Sequence, residues 1–207
     1  MSIIIGICGP SAAGKSYLAA YLKDYYKDKV SIVSYDAYCR DFFSNSKVKV
    51  DPLSINYDSP DAYEGSLLYE HILKAKSGAD VEMPIYDFAT HTRKKETVHI
   101  PNKEIIIVEG ILVFQIKELL PLLDLKVFIT AGEHTRLIRR EERDIKERGR
   151  TKESVIEQWN STVEPSRHIY IDTTKELADI VVHNAVNNGI SEKAIPVINA
   201  IDNLLKK

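Results

Sequence analysis

The chain has 207 residues, 44% of them hydrophobic and 28% charged, with a formal net charge of −2. That size and balance fit one soluble domain with a substantial core, and near-neutrality excludes a general attraction to nucleic acid or to an anionic membrane. Two cysteines, Cys8 and Cys39, make no disulfide framework, and no apolar run nears the ~20 residues of a membrane span.

The first element is Ile3–Cys8, IIIGIC, a continuous branched run of the kind buried on both faces of a parallel sheet. Ser2–Cys8 lacks the basic flank and small-residue cleavage site of a secretory leader, so a cytoplasmic protein is expected. Gly9-Pro-Ser-Ala-Ala-Gly-Lys-Ser16 follows at once and fits G-x-x-x-x-G-K-[ST], the P-loop. Its glycines let successive N–H groups turn inward on a phosphate chain, and the predicted helix Lys15–Tyr26 adds the positive end of its dipole. Gly9, Pro10, Ser11, Ala12, Ala13, Gly14, Lys15, Ser16 and the adjoining Tyr17 are therefore candidate nucleotide-binding residues. Lys15 reaches the β- and γ-phosphates in this reading, and the Ser16 hydroxyl binds Mg²⁺.

A second strand is predicted at Val30–Tyr35, ending at Asp36. An acid at the carboxyl end of a parallel strand shares the sheet edge with the P-loop, which makes Asp36 a candidate base, although an Asp also caps loops. Asn56–Asp61 precedes a helix predicted at Pro60–Lys76, which Ser59 or Asp61 can cap. Asp58 is left over, and a carboxylate accepts from two neighbouring sugar hydroxyls. Val81–Phe88 and Glu96–Ile100 read as an inserted hairpin, about residues 81–100, with ATHTRKK as its polar tip. Phe88 can stack on a flat ring while Tyr86 and His91 bond its edge; a decorated surface hairpin fits the spacing equally well.

Ile105–Val108 is a further buried strand, with Glu109 at its end, where an acid can hold the water shell of a metal. After a strand at Leu125–Ile129 comes a helix at Glu133–Glu147, with Arg136, Arg139, Arg140 and Arg143 at i, i+3, i+4 and i+7. Like charges so spaced disfavour a helix, and Arg148 and Arg150 extend the cluster. A lid closing over phosphates, about residues 133–150, explains the cost better than a solvated face. Lys152–Val163 and Ile190–Leu205 read as helices and Ile180–Val182 as a strand. Strands separated by helices imply one α/β domain, a mostly parallel sheet covered on both faces.

Taken together these residues resemble the uridine kinase (uridine–cytidine kinase) family. The P-loop, DAYCR, INYDSPDAYE, PIYDFATHTRKKETV, VEGIL, RREERDIKERGR and QWNSTVEPSRHIYIDTTKELADIVV match its motifs from about Ile3 to Val182. The resemblance implies a three-layer P-loop NTPase sandwich and Mg²⁺-dependent phosphorylation of the 5′-hydroxyl of uridine or cytidine by ATP or GTP. It implies Asp36 as general base, Asp58 and Arg140 on the ribose, and Tyr86 and His91 on the pyrimidine edge. Arg143 and Arg148 clamp phosphate, Arg150 and Gln158 contact the nucleoside, and the assembly is a homo-oligomer, commonly a tetramer. Three positions depart from the family's pattern: Cys39 and Trp159 stand where it writes tyrosine, and Ser59 where it writes histidine. Alternatives are another small-metabolite P-loop kinase, of the phosphoribulokinase or pantothenate kinase type, and a nucleotide-binding regulator without turnover. The first has no need of the Tyr86/His91 hairpin, and the second none of Asp36 and the lid arginines.

Overall fold

The computed structural model describes residues 2–42, 55–185 and 189–206. Its centre is a five-stranded sheet in the order β2-β5-β1-β6-β7, every pairing parallel. The strands are β1 (Ile3–Cys8), β2 (Val30–Ser34), β5 (Ile105–Glu109), β6 (Leu125–Thr130) and β7 (Ile180–His183). β1 lies in the middle, where both faces need apolar side chains, and all five residues of β5 beside it are buried. Alternation along these strands feeds two separate cores. Ile4, Val33, Ile106 and Phe128 pack with Leu68 and Ile72 of α2 (Gly65–Lys76) on one face. Ile5, Ile7, Ile107 and Val127 pack on the other with Leu18 and Leu22 of α1 (Lys15–Tyr26) and with Val197 and Ile201 of α6 (Ile190–Leu205). Two helical layers around one parallel sheet are the predicted α/β sandwich.

The inserted hairpin forms its own two-stranded antiparallel sheet, β3 (Val81–Asp87) with β4 (Thr92–Ile100). β4 starts four residues earlier than expected. Asp87 Oδ1 accepts from the N–H groups of Ala89 (2.9 Å) and Thr90 (3.3 Å), and His91 takes φ 57°, so the chain reverses within Phe88–His91. Arg93, Lys94 and Lys95, read as part of a polar tip, belong instead to a largely exposed strand.

Two helices also differ from expectation. Pro60–Ala62 is a single 3₁₀ turn capped by the Ser59 hydroxyl, and α2 starts only at Gly65. The intervening backbone is committed elsewhere: the Ala62 carbonyl accepts from Arg40 N (2.8 Å), Tyr63 bridges Cys39, and Glu64 N donates to the Tyr38 carbonyl (2.9 Å). After α3 (Glu133–Arg148) and α4 (Lys152–Gln158), the helical path runs on to Ile171. It does so through π turns at Trp159–Val163 and Arg167–Ile171 flanking the α-turn α5 (Glu164–Ser166). Pro165 has no N–H to donate, and widened turns accommodate its ring without ending the helix.

The sheet sets the site. Parallel strands all point their carboxyl ends one way, and the register pairs Glu109 with both Ile7 and Ser34. The loops after β1, β2 and β5 therefore meet at one edge.

Candidate active site

The loop after β1 is built around conformations that side chains resist. Gly9 has φ 145°, and a Cβ there would stand 2.0 Å from the Ile129 carbonyl oxygen. Gly14 has φ 107°, and its Cβ would meet Asn184 Nδ2 at 2.3 Å. Asn184, just after β7, donates that amide to the Ala13 carbonyl (2.8 Å) and accepts from Lys193 of α6 (3.2 Å). Lys15 is buried at the base of α1 and donates to the Pro10 carbonyl (3.0 Å). Burial lowers its pKa, opposed by the carboxylates of Glu109 and Asp36.

Glu109 is 6% exposed, and its oxygens accept from Ser16 (3.3 Å) and Ser34 (2.9 Å). Burial pushes its carboxyl up, and the nearby Asp36 charge adds to the shift. Ser16 and Glu109 together offer hard oxygen donors, which fit Mg²⁺; an ion there would keep water and phosphate oxygens for the rest of its shell.

From this edge opens a cavity of about 430 Å³. Into it the fold brings Ser11, Ala12, Gly14, Lys15, Ser16 and Tyr17 of the loop and α1, together with Asp36 and Glu109 from the strand ends. On the far side stand Asp58, Tyr86, Phe88 and His91, then Arg140, Arg143, Arg148, Arg150 and Gln158. Gly9, Pro10 and Ala13 lie outside the lining and shape the loop from behind. Segments separated by most of the chain thus share one volume.

Asp58 is 4% exposed; burial raises its pKa, and Arg140 opposes the rise. Its own N–H donates to Asn56 Oδ1 (3.0 Å), and Asn56 is tied to Ser166 of α5 (2.9 Å). The hairpin contributes Phe88, edge-on to Tyr86 with centroids 5.1 Å apart, and the Arg148 guanidinium lies 4.4 Å over its ring. His91 stacks on Tyr57, centroids 5.0 Å apart and planes 25° from parallel. Burial and the charges of Arg150 and Arg148 lower the His91 pKa, which keeps the ring neutral at pH 7. Tyr86 is pushed far up and Tyr57 to about 12, both by burial first. The two hydroxyls and the Cys39 thiol are close enough to act on one another, yet among the described residues neither hydroxyl meets a group in full hydrogen-bonding geometry.

The arginine row divides. Arg136, grouped by spacing with the others, turns away from the cavity: it lies over the Trp159 ring (5.0 Å) and pairs with Glu164 (2.8 Å), 2% exposed. Arg140 instead donates to the Ser11 hydroxyl (2.7 Å) and to Gln158 Oε1 (2.8 Å), which Arg150 also reaches. Arg140 thereby links the loop after β1 to the far wall.

Sequence reasoning missed Tyr57 and Tyr63 as lining residues and Asp144 as the group behind the arginines. Tyr57 had a signal, since it adjoins Asp58 in a quoted motif. Asp144 was hidden among five acids of α3 that look alike in one dimension.

A family model described as "Phosphoribulokinase / Uridine kinase family" matches residues 4–191. A uridine kinase from Clostridium novyi (strain NT) is 41% identical over 190 residues, 91% of this chain and 90% of its own. A uridine kinase from Streptococcus thermophilus (strain ATCC BAA-491 / LMD-9) is 39% identical over 198 residues, 95% of this chain and 92% of its own. Among solved structures, a putative fructose transport system kinase from Silicibacter sp. TM1040 shares the fold with a TM-score of 0.72 at 15% identity, over 87% of this chain and 89% of that one. The phosphoribulokinase from Rhodobacter spheroides does so at 0.61 and 14%, over 93% and 73%. With one family model spanning every element from β1 to the start of α6, and with near-full-length relatives at this identity, the chain belongs to the phosphoribulokinase / uridine kinase family of kinases.

Proposed function

We propose that the protein transfers the γ-phosphoryl group of ATP or GTP to the 5′-hydroxyl of uridine or cytidine, giving UMP or CMP. The observation that carries this reading is the one cavity that Asp36, Asp58, Arg140, Arg143 and Arg148 share with Lys15 and Ser16, lined also by the aromatic and hydroxyl groups of the hairpin. An acceptor with two vicinal hydroxyls and a flat polar ring matches that wall.

Asp36 takes the proton from the attacking hydroxyl. Lys15 steadies the β- and γ-phosphates, and Arg143 and Arg148 neutralise charge on the transferring group. Asp58 and Arg140 hold the ribose hydroxyls. Phe88 stacks on the base, Tyr86 and His91 bond its edge, and Arg150 and Gln158 complete that wall. The P-loop backbone from Gly9 to Tyr17 cradles the donor. Ser16 and Glu109 would hold Mg²⁺, which would supply charge neutralisation for the donor phosphates. Positioning and electrostatics supply most of the catalysis, since the charges that meet the phosphates are already in place around one cavity.

We also read the chain as one domain of a cytoplasmic homo-oligomer, in keeping with the near-full-length match to bacterial relatives. Among the described residues no helix is long and apolar enough to cross a membrane. The test of function is phosphate transfer from Mg·ATP to a panel of uridine, cytidine, adenosine, ribulose 5-phosphate and pantothenate. Turnover confined to the two pyrimidine nucleosides is the expected result, and turnover of another acceptor alone refutes the substrate reading.

A further inference from the structure

Asp144, on α3, is fully buried, and a carboxylate so placed is costly unless it is well paired. Its surroundings are unusual for a simple ion pair. Arg143 forks onto Oδ1 through Nε and Nη2, both at 2.8 Å, and Arg148 Nη1 lies 3.4 Å from the same oxygen. Arg140 Nε (3.4 Å) and Arg150 Nη1 (3.9 Å) flank Oδ2. The backbone of Asp144 joins in, its carbonyl accepting from Gly149 and from Arg150 N (3.1 Å). With Gly149 in the left-handed region, φ 63°, the chain folds back and brings Arg150 to the carboxylate that Arg143 and Arg148 already hold.

All four arginines also line the cavity. Four positive charges against one negative leave three unopposed within the cluster, and the open side of that cluster is the cavity. Asp58 feels the charge of Arg140 and Asp36 that of Arg148, but both carboxylates line the cavity and are assigned above to the acceptor. Arg136, on the same helix as Asp144, shows what a purely structural contact looks like here: it pairs with Glu164 of α5, which Arg167 also holds, and it lies outside the cavity lining.

We propose that Asp144 is a positioning residue for phosphoryl transfer, holding the guanidiniums of Arg143 and Arg148 toward the transferring group without touching either substrate. The idea rests on the kinase reading above. A guanidinium fixed in advance needs no reorganisation as charge develops, whereas free arginines would repel one another and spread. Both Oδ1 contacts of Arg143 use one oxygen, so shifting or neutralising that oxygen releases the arginine that faces phosphate.

Two variants separate this from a role in the fold. Asp144→Asn keeps the shape and removes the charge; Asp144→Glu keeps the charge and moves it by one methylene. Each is made alone and with Arg143→Ala, and kcat for uridine is measured beside a far-UV circular dichroism melt. Each single variant is expected to lose about tenfold or more in kcat, with the KM for Mg·ATP, set by the P-loop, held within about threefold. In the Arg143→Ala background the further loss is expected to shrink below about threefold, because the arginine that Asp144 holds by two 2.8 Å contacts is gone and only Arg148, at 3.4 Å, remains. Equal losses in both backgrounds overturn the proposal. So does an Asp144→Glu enzyme with full kcat, since charge alone would then suffice. If neither variant folds, Asp144 is a residue of the fold and the proposal falls as well. A wild-type protein that leaves uridine untouched refutes the acceptor reading instead; the same cycle is then read on hydrolysis of Mg·ATP, which uses the arginines without a nucleoside.

Discussion

Replacing Tyr57 by phenylalanine removes one oxygen atom and should move stability and binding in opposite directions. Among the described residues the buried Tyr57 hydroxyl meets no group in full hydrogen-bonding geometry, although the Tyr86 hydroxyl is close enough to act on it, so the folded protein has given up its water there without full compensation. A buried, unpaired hydroxyl costs on the order of 1 kcal/mol at the low end of mutational values. The ring itself stays, stacked on His91 and edge-on to Phe42 at 6.4 Å, so the packing of Tyr57 survives the change. For a chain of this length ~1 kcal/mol raises Tm by roughly 2–4 °C. If the hydroxyl instead finds its partner on the nucleoside, its loss removes one neutral hydrogen bond of ~1 kcal/mol, and the KM for uridine rises roughly fivefold. The assay is a thermal melt of both proteins, beside initial rates at saturating Mg·ATP over a uridine series. A Tm that falls while the uridine KM stays put refutes the reasoning, since it shows the hydroxyl satisfied inside the protein and turned from the substrate.

Further tests address other groups. Asp36→Asn should lower kcat by roughly 10²–10⁴-fold while Mg·ATP still binds by calorimetry; an active variant removes Asp36 from the chemistry. The neutral form of His91 is favoured in the folded protein because burial and two arginines lower its pKa from 6.5. Its contribution to stability is therefore fully present above pH 6.5 and is lost as pH falls through the depressed folded value, and the uridine KM should rise over that same acid range. His91→Gln should flatten the rise, which a KM–pH series checks; an unchanged profile rules out the ring as a contact. Arg136→Met removes one of the two arginines on the half-buried Glu164 and leaves Arg167 on its other oxygen, so it should cost about 1–3 kcal/mol in chemical denaturation, with the uridine KM unaltered.

The sheet was legible because its strands are continuous branched runs, IIIGIC and IIIV above all, and the chain offers few ways to bury such runs except in a parallel sheet. The P-loop was legible for a different reason: Gly9 and Gly14 stand where a Cβ would strike Ile129 and Asn184, so the motif is a record of backbone geometry. The start of α2 was not, because Ala62, Tyr63 and Glu64 are held by Arg40, Cys39 and Tyr38, residues more than twenty positions away. Helical periodicity grouped Arg136 with Arg140 and Arg143, yet it cannot tell which edge of a stripe meets Trp159 and which meets a cavity. Asp144 and Tyr57 were illegible for the same reason. Each takes its meaning from groups brought together only by the closed fold.

The amide that Asn184 gives to Ala13 ties the nucleotide loop to a side chain that leaves the ribosome some 170 positions later. Until β7 and α6 emerge, the Ala13 carbonyl has no such partner, and Leu18 and Leu22 lack the apolar cover that Val197 and Ile201 provide. A nascent chain carrying the whole P-loop motif is thus not yet a finished binding protein. Nucleotide capture is deferred until β7 and α6 have emerged, and a product cut short before them should not sequester the cell's triphosphates.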